Sequence, residues 1–211
     1  APIIKHDASK GDAQGDTNIV GLSVLGKNGR RCVVYGMGIA TDSSFEQQMA
    51  KEGCETHAFD CTVSETSRVV RRKGFTFHHW CIGSSGSTFN SGNRYADGKN
   101  NFQFKTLQET MTELKHTSVD LLKFDIEGFE WRLFDSELLG SKNLPAQLSF
   151  ELHAEGALPQ YVPPENVKGK NFVEINQLFL RLFDIGYRVV SKEVNGDPAC
   201  AEFVLVNVNA I

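Results

Sequence analysis

The chain has 211 residues, enough to bury one hydrophobic core and short for two, since domains commonly run to roughly 100–200 residues. A hydrophobic fraction of 40% against 23% charged residues is the balance of a packed globular domain and excludes a disordered or fibrous chain. A net charge of −4 with Lys and Arg scattered along the chain leaves no basic stripe to neutralise a phosphate backbone, so nucleic acid is not an expected partner.

Residues 1 to 17 are polar and rich in Gly, Asp and Lys, and they read as a flexible leader ahead of a single domain over 18 to 211. No run reaches the ~18–20 apolar residues of a membrane-spanning helix, and no basic-then-apolar signal pattern opens the sequence. A soluble domain without membrane contact is expected. From Asn18 onward, short apolar runs alternate with amphipathic stretches, the rhythm of βαβ units around a mostly parallel sheet.

Strands are expected over 32–35, 55–59, 75–80, 119–124, 147–152, 187–191 and 202–206. Most are too continuously apolar to have one wet face. Helical spacing of apolar residues predicts helices over 44–52, 64–73, 106–115, 129–139 and 172–185. Ser43 or Ser44 is available to cap the first and Gly53 to end it, while Arg71-Arg72-Lys73 reads as a solvated helix end. The fold class is therefore α/β: a Rossmann-like sheet of seven mostly parallel strands with helices on both faces. The turn Asn195-Gly196-Asp197-Pro198 closes a C-terminal antiparallel hairpin. The stretch from Ser84 to Gln103, rich in Gly, Ser and Asn, is a candidate lid or acceptor loop.

Cys32, Cys54, Cys61, Cys81 and Cys200 include no CxxC pair and no zinc-like spacing. Buried free thiols are expected, with one disulfide as the alternative in an oxidising compartment. The sequence contains no Asn-x-Ser/Thr site, which favours a cytoplasmic setting over a secretory lumen.

Four segments carry candidate chemistry. Val33-Val34-Tyr35-Gly36-Met37-Gly38-Ile39 runs from a strand into a Gly-x-Gly turn, where backbone can approach a ligand closely beside helix N–H groups; an ordinary tight turn is the competing reading. About 20 residues on, Ala58-Phe59-Asp60 ends the next strand with a carboxylate placed for ribose hydroxyls. The third glycine that a dinucleotide's pyrophosphate calls for is Thr41 here, so a ligand with a ribose and no pyrophosphate fits better. Leu121 to Trp131 brings Asp125 and Glu127 to the same edge, with Glu130 in the first turn of a helix. Leu148-Ser149-Phe150-Glu151-Leu152-His153 ends in an imidazole able to accept a proton or bind a metal. His78 and His79, ahead of Trp80, read as structural.

Together these segments resemble the methyltransferase-like protein 24 type of class I methyltransferase, a group related to the FkbM-type O-methyltransferases. The likeness spans about residues 30 to 205 and is carried by Val34 to Ile39, Ser44-Phe45-Glu46, Gly53-Cys54 through Asp60, Leu121 to Trp131 and Gln147 to His153. It implies S-adenosylmethionine bound across Tyr35, Gly36, Met37, Gly38 and Ile39. Asp60 would hold the ribose, Ile82 and Gly83 would edge the adenine, and Asp125 would face the methionine part or the acceptor. Cys61 follows Asp60 where the group often has proline.

The expected reaction is O-methylation of a sugar, glycan or other polyhydroxylated small molecule, with His153 as base assisted by Asp125 or Glu127. Those three residues could instead gather Mg²⁺ or Mn²⁺. A non-catalytic S-adenosylmethionine-binding module and methylation of a protein acceptor are the alternatives. Thr41 counts against an NAD-dependent oxidoreductase.

Overall fold

The computed structural model describes residues 3–5, 18–20, 30–64, 66–83, 102–194 and 196–210. In chain order the strands are β1 (Ile3–Lys5), β2 (Asn18–Val20), β3 (Val33–Met37), β4 (Glu55–Phe59), β5 (Thr76–His78), β6 (Cys81–Ile82), β7 (Phe104–Lys105), β8 (Leu121–Phe124), β9 (Gln147–His153), β10 (Tyr187–Val194) and β11 (Cys200–Asn207). The helices are α1 (Ser44–Lys51), α2 (Leu107–Glu113), α3 (Glu130–Leu133), α4 (Pro164–Val167) and α5 (Phe172–Asp184), and a π-helical turn over Phe134–Leu138 continues α3.

Seven strands form one sheet in the order β10-β11-β9-β8-β3-β4-β5. Neighbours from β9 to β5 are parallel, and β11 runs antiparallel between β9 and β10. This is the seven-stranded, mostly parallel sheet with a C-terminal hairpin that the alternation of apolar runs predicts. Its central strands β3 and β8 are largely apolar because helices cover both faces. On one face, Phe45 and Met49 of α1, four residues apart and so on one stripe, pack on Val34 and Leu121. On the other, α2, α5 and the π-helical turn bury Met111, Leu178, Leu182 and Phe134 against Tyr35, Leu122, Phe124 and Phe150.

Local chemistry fixes where the helices begin and end. Gly53, at φ +93°, ends α1 by donating its N–H to Ala50 O while Cys54 donates to Met49 O, the paired bonds of a Schellman motif. Thr106 and Glu109 form a reciprocal capping box on α2. At the hairpin, Asp197 Oδ1 accepts from Ala199 N at 2.9 Å.

Two expectations need correction, on a helix and on the cysteines. The helix expected over 64–73 is a run of turns, because Ser64 and Ser67 accept from Thr66 N and Val69 N and so give the backbone an alternative to helical bonding. The cysteines are not all thiols: Cys32 pairs with Cys54 and Cys61 with Cys81, and Cys200 is a buried thiol. Within the expected leader, Ile3–Lys5 pairs antiparallel with Asn18–Val20. Of the candidate loop from Ser84 to Gln103, residues 84–101 lie outside the described residues.

Candidate active site

From β3 the chain proceeds outward to β4 and β5, then returns to the other side of β3 as β8 and β9. The carboxyl ends of β3, β4 and β8 therefore meet at a topological switch point, where open α/β sheets bind ligands. Backbone bonds lock the three tips together: Gly38 N donates to Phe59 O at 3.0 Å, Asp125 N to Met37 O at 3.1 Å and Asp60 N to His78 O at 3.2 Å. The cleft above them holds about 600 Å³ of space including its open mouth.

Of the residues expected to hold a cofactor, Met37, Gly38, Asp60, Ile82 and Asp125 line this cleft. Gly38 is a glycine of necessity: its φ is +77°, and a Cβ there would stand 1.8 Å from Asp125 O. Asp60 is held by both flanking loops. Its Oδ2 accepts from Ala40 N at 3.0 Å, and its Oδ1 accepts from Thr62 N at 2.8 Å and Thr62 Oγ1 at 2.6 Å. A carboxylate offers about four acceptor sites, so one remains for a ligand hydroxyl.

Tyr35, Gly36, Ile39, Cys61 and Gly83 are not among the lining residues. Tyr35 and Ile39 are wholly buried. Gly36 instead makes room for Glu46, whose Oε1 would lie 2.1 Å from a Cβ at that position. Cys61 acts through its disulfide to Cys81, which does line the cleft. Gly83 N donates to Lys105 O at 2.9 Å, joining the short β6–β7 ladder.

The opposite wall is acidic. Asp125 and Glu127 line it together with the apolar Ile126, Phe104 and Phe129. Glu127 and Ala40, facing one cleft, have φ values of 55° and 41°, left-handed backbone that costs a non-glycine residue about 1–3 kcal/mol and that concentrates at ligand sites. Glu130, fully buried, holds the turn in place: its carboxylate accepts from Ile126 N at 2.9 Å and from Gly128 N at 3.0 Å. The same carboxylate lies 3.3 Å from His153 Nδ1, and His153 Nε2 lies 3.6 Å from Glu127 and 3.7 Å from Glu151.

The electrostatics of this group follow from burial and mutual charge. Burial pushes the Asp125 carboxyl up, against the pull of His153 and Lys123. Glu151 is pushed up to about 8, by burial first and then by Asp125. Burial works against a charged His153, but Glu130, Asp125 and Glu151 outweigh it and hold the imidazole up to about 10. His153 is itself 4% exposed and is not among the described residues lining the cleft.

The expected Asp125–Glu127–His153 set is not among the ligand groupings of the described residues. Two groups around His153 bring ligand atoms within 4.8 Å of one another, Asp125–Glu130–His153 and Glu151–His153–Cys200, and in the first Glu130 replaces the expected Glu127. Glu130 is committed to the Ile126 and Gly128 amides, and a ligating histidine must be neutral. Sequence reasoning gave Glu130 the ordinary role of a first-turn carboxylate and gave Glu46 and Glu151 no role; the one available signal was a Glu inside an otherwise apolar buried run.

A Gly-x-Gly turn at the switch point, answered by a carboxylate on the neighbouring strand tip, defines a nucleoside-cofactor site on a Rossmann-like sheet. The chain belongs to a methyltransferase-domain family whose profile matches residues 8–207. It is 28% identical over 126 residues to the probable methyltransferase-like protein 24 of Homo sapiens and 29% identical over 126 residues to that of Rattus norvegicus. In both cases 59% of this chain is matched to 33% of the relative, so the chain spans about a third of the length of those relatives. Solved structures similar to it include WbdD, with a TM-score of 0.46 at 14% identity over 85% of this chain and 36% of that one. Others are the methyltransferase CalO6 (TM-score 0.43, 10% identity, 85% and 58%) and the ribosomal protein L11 methylase of Lactobacillus delbrueckii subsp. bulgaricus (0.41, 10%, 88% and 75%).

A methyltransferase domain draws its methyl group from S-adenosylmethionine, and the residues present fit that cofactor. Gly38 forms a cradle that a side chain would fill, Asp60 keeps an acceptor site for a ribose hydroxyl, and Ile82 and Phe104 supply an apolar wall. Asp125 Oδ1 is buried with no hydrogen-bond partner, a polar atom that a bound ligand would satisfy.

Proposed function

We propose that this domain methylates a hydroxyl of a sugar, glycan or other polyhydroxylated small molecule. The observation that carries the reading is the pairing of Asp125 and Glu127 on one wall of the cleft, beside the Gly38 turn. Carboxylates are acceptors only, suited to receiving hydroxyl protons, and two side by side can hold adjacent hydroxyls. Bound in the cleft, S-adenosylmethionine supplies an electrophilic sulfonium methyl.

Asp125 takes the acceptor's proton. Burial raises its basicity above that of an ordinary carboxylate, toward the working pH at which general bases are most effective. With S-adenosylmethionine held between the Gly38 turn and Asp60, Asp125 would receive the proton that the acceptor hydroxyl gives up as its oxygen takes the methyl group. Glu127 orients the acceptor, and much of the barrier reduction comes from that alignment. His153, expected from sequence to be the base, is read as a positioning residue: held charged by its carboxylate neighbours, it has no free nitrogen lone pair with which to accept a proton.

The Cys32–Cys54 and Cys61–Cys81 disulfides support an oxidising compartment for the domain, in place of the cytoplasmic setting. The test is transfer of a labelled methyl group to a panel of monosaccharides and glycans, run beside peptides. Label entering the sugar fraction with matching S-adenosylhomocysteine is the expected result. Label confined to peptides, or donor binding without transfer to any acceptor, overturns the reading.

A further inference from the structure

Two to four residues back along β4 from Phe59, which lines the cleft, a second group of chemically able side chains meets. Glu55 Oε1 lies 3.3 Å from His57 Nε2 and 3.2 Å from His116 Nε2. All three ligand atoms fall within 4.8 Å of one another. Ligand atoms at the corners of a tetrahedron with bonds of about 2.0–2.1 Å stand roughly 3.3–3.4 Å apart, the spacing of nitrogen and oxygen donors around zinc.

The far nitrogen of each imidazole is also held. His57 Nδ1 lies 2.9 Å from His78 Nε2, and His116 Nδ1 lies 2.7 Å from the Tyr35 hydroxyl. Such outer partners orient the rings, as they do for most metal-ligating histidines, and the Tyr35 hydroxyl oxygen and His78 Nε2 are placed to accept an Nδ1 proton once Nε2 binds a metal. The two imidazoles are nearly sealed, at 9% and 11% side-chain exposure, whereas Glu55 is 44% exposed. An ion there would have a route in from solvent and an open fourth position.

We propose that Glu55, His57 and His116 form a Zn²⁺ site behind Phe59, on the same face of β4 but outside the methyl-transfer cleft. Two imidazoles and one carboxylate suit zinc and exclude Mg²⁺ and Ca²⁺, which prefer all-oxygen ligands. Binding displaces the Nε2 protons that Glu55 otherwise accepts, and those protons are released.

The experiment is equilibrium dialysis of the chelator-stripped protein against Zn²⁺, with Co²⁺ absorption reporting coordination geometry. Wild type should bind one Zn²⁺ at this site, and Co²⁺ should give a tetrahedral spectrum. Glu55→Ala and His116→Ala, checked for unchanged circular dichroism, should each weaken zinc binding at least tenfold. His153→Gln should leave it intact, which separates this group from the cluster beside Asp125. No stoichiometric binding, or binding that survives either Glu55→Ala or His116→Ala, overturns the proposal and leaves a hydrogen-bonded relay.

Discussion

Glu130 Oε1 stands 3.3 Å from His153 Nδ1, with both side chains sealed from solvent, and this pair sets the charge state of the acidic wall. Glu130→Ala leaves a buried imidazolium with less compensation and frees two turn amides, so a loss of about 3–5 kcal/mol is expected. Urea unfolding of the variant, and of the double variant with His153→Ala, measures it. If the pair is coupled as described, the double variant loses less than the sum of the singles; additive losses contradict it.

Stability should fall as the solution becomes alkaline. His153 is raised from its ordinary 6.5 to about 10, so its contribution is complete below about 6.5 and is lost as pH rises toward 10. Glu151, raised from 4.5 to about 8, has the same sign: the folded state holds a proton that the unfolded state has released. Urea midpoints at pH 6.5, 8 and 10 should therefore decline in that order, and His153→Gln should flatten the upper half of the decline.

Replacing the proposed base tests the chemistry separately from binding. Asp125→Asn should lower kcat by about 10²–10⁴-fold, the usual share of a general base, while KM for the methyl donor moves far less. Steady-state kinetics on whichever acceptor turns over gives both numbers. An Asn variant with wild-type kcat would return the proton to another group.

Asp60→Ala should act on affinity. Hydrogen bonds to charged groups contribute about 1.5–3 kcal/mol each, so loss of one ribose contact weakens cofactor binding by roughly 10- to 100-fold. Calorimetry with S-adenosylhomocysteine reads it. Affinity unchanged within a factor of two would mean that the Asp60 carboxylate serves the Ala40 and Thr62 loops alone.

The Cys61–Cys81 disulfide closes a loop of 20 residues, for which chain entropy predicts about 3 kcal/mol of stabilisation. Because Cys81 lines the cleft and Cys61 follows Asp60, the double Ser variant should lose cofactor affinity as well as stability. Thermal unfolding with and without S-adenosylhomocysteine separates the two losses.

The sheet was legible because its central strands are buried on both faces and read as unbroken apolar runs: Leu121–Phe124 and Glu55–Phe59 emerge at or close to their expected bounds. The strand tips at Gly38, Asp60 and Asp125 were legible for a related reason, since a parallel sheet puts every such tip on one edge. The disulfides were not, because pairing depends on proximity across strands. Cys32 and Cys54 immediately precede two strands that turn out to be parallel neighbours, bringing their Cα atoms to 4.7 Å. The surroundings of His153 were also hidden: Glu130, 23 residues earlier in the sequence, comes alongside only when α3 docks on β9. Spacing along the chain carries no trace of such a meeting.

The reversed direction of β11 has a structural consequence at the far side of the cleft. Because that strand enters the sheet pointing the other way, its beginning, not its end, sits at the ligand-binding edge, with Cys200 in register opposite His153 and Ala199 O receiving Ala154 N at 2.8 Å. The neighbourhood of the acidic cluster is thus bordered by the hairpin turn just before Cys200. Lengthening or shortening that turn reshapes ground next to His153 while β3, β4 and their loops stay untouched, so the two halves of the site are free to diversify independently.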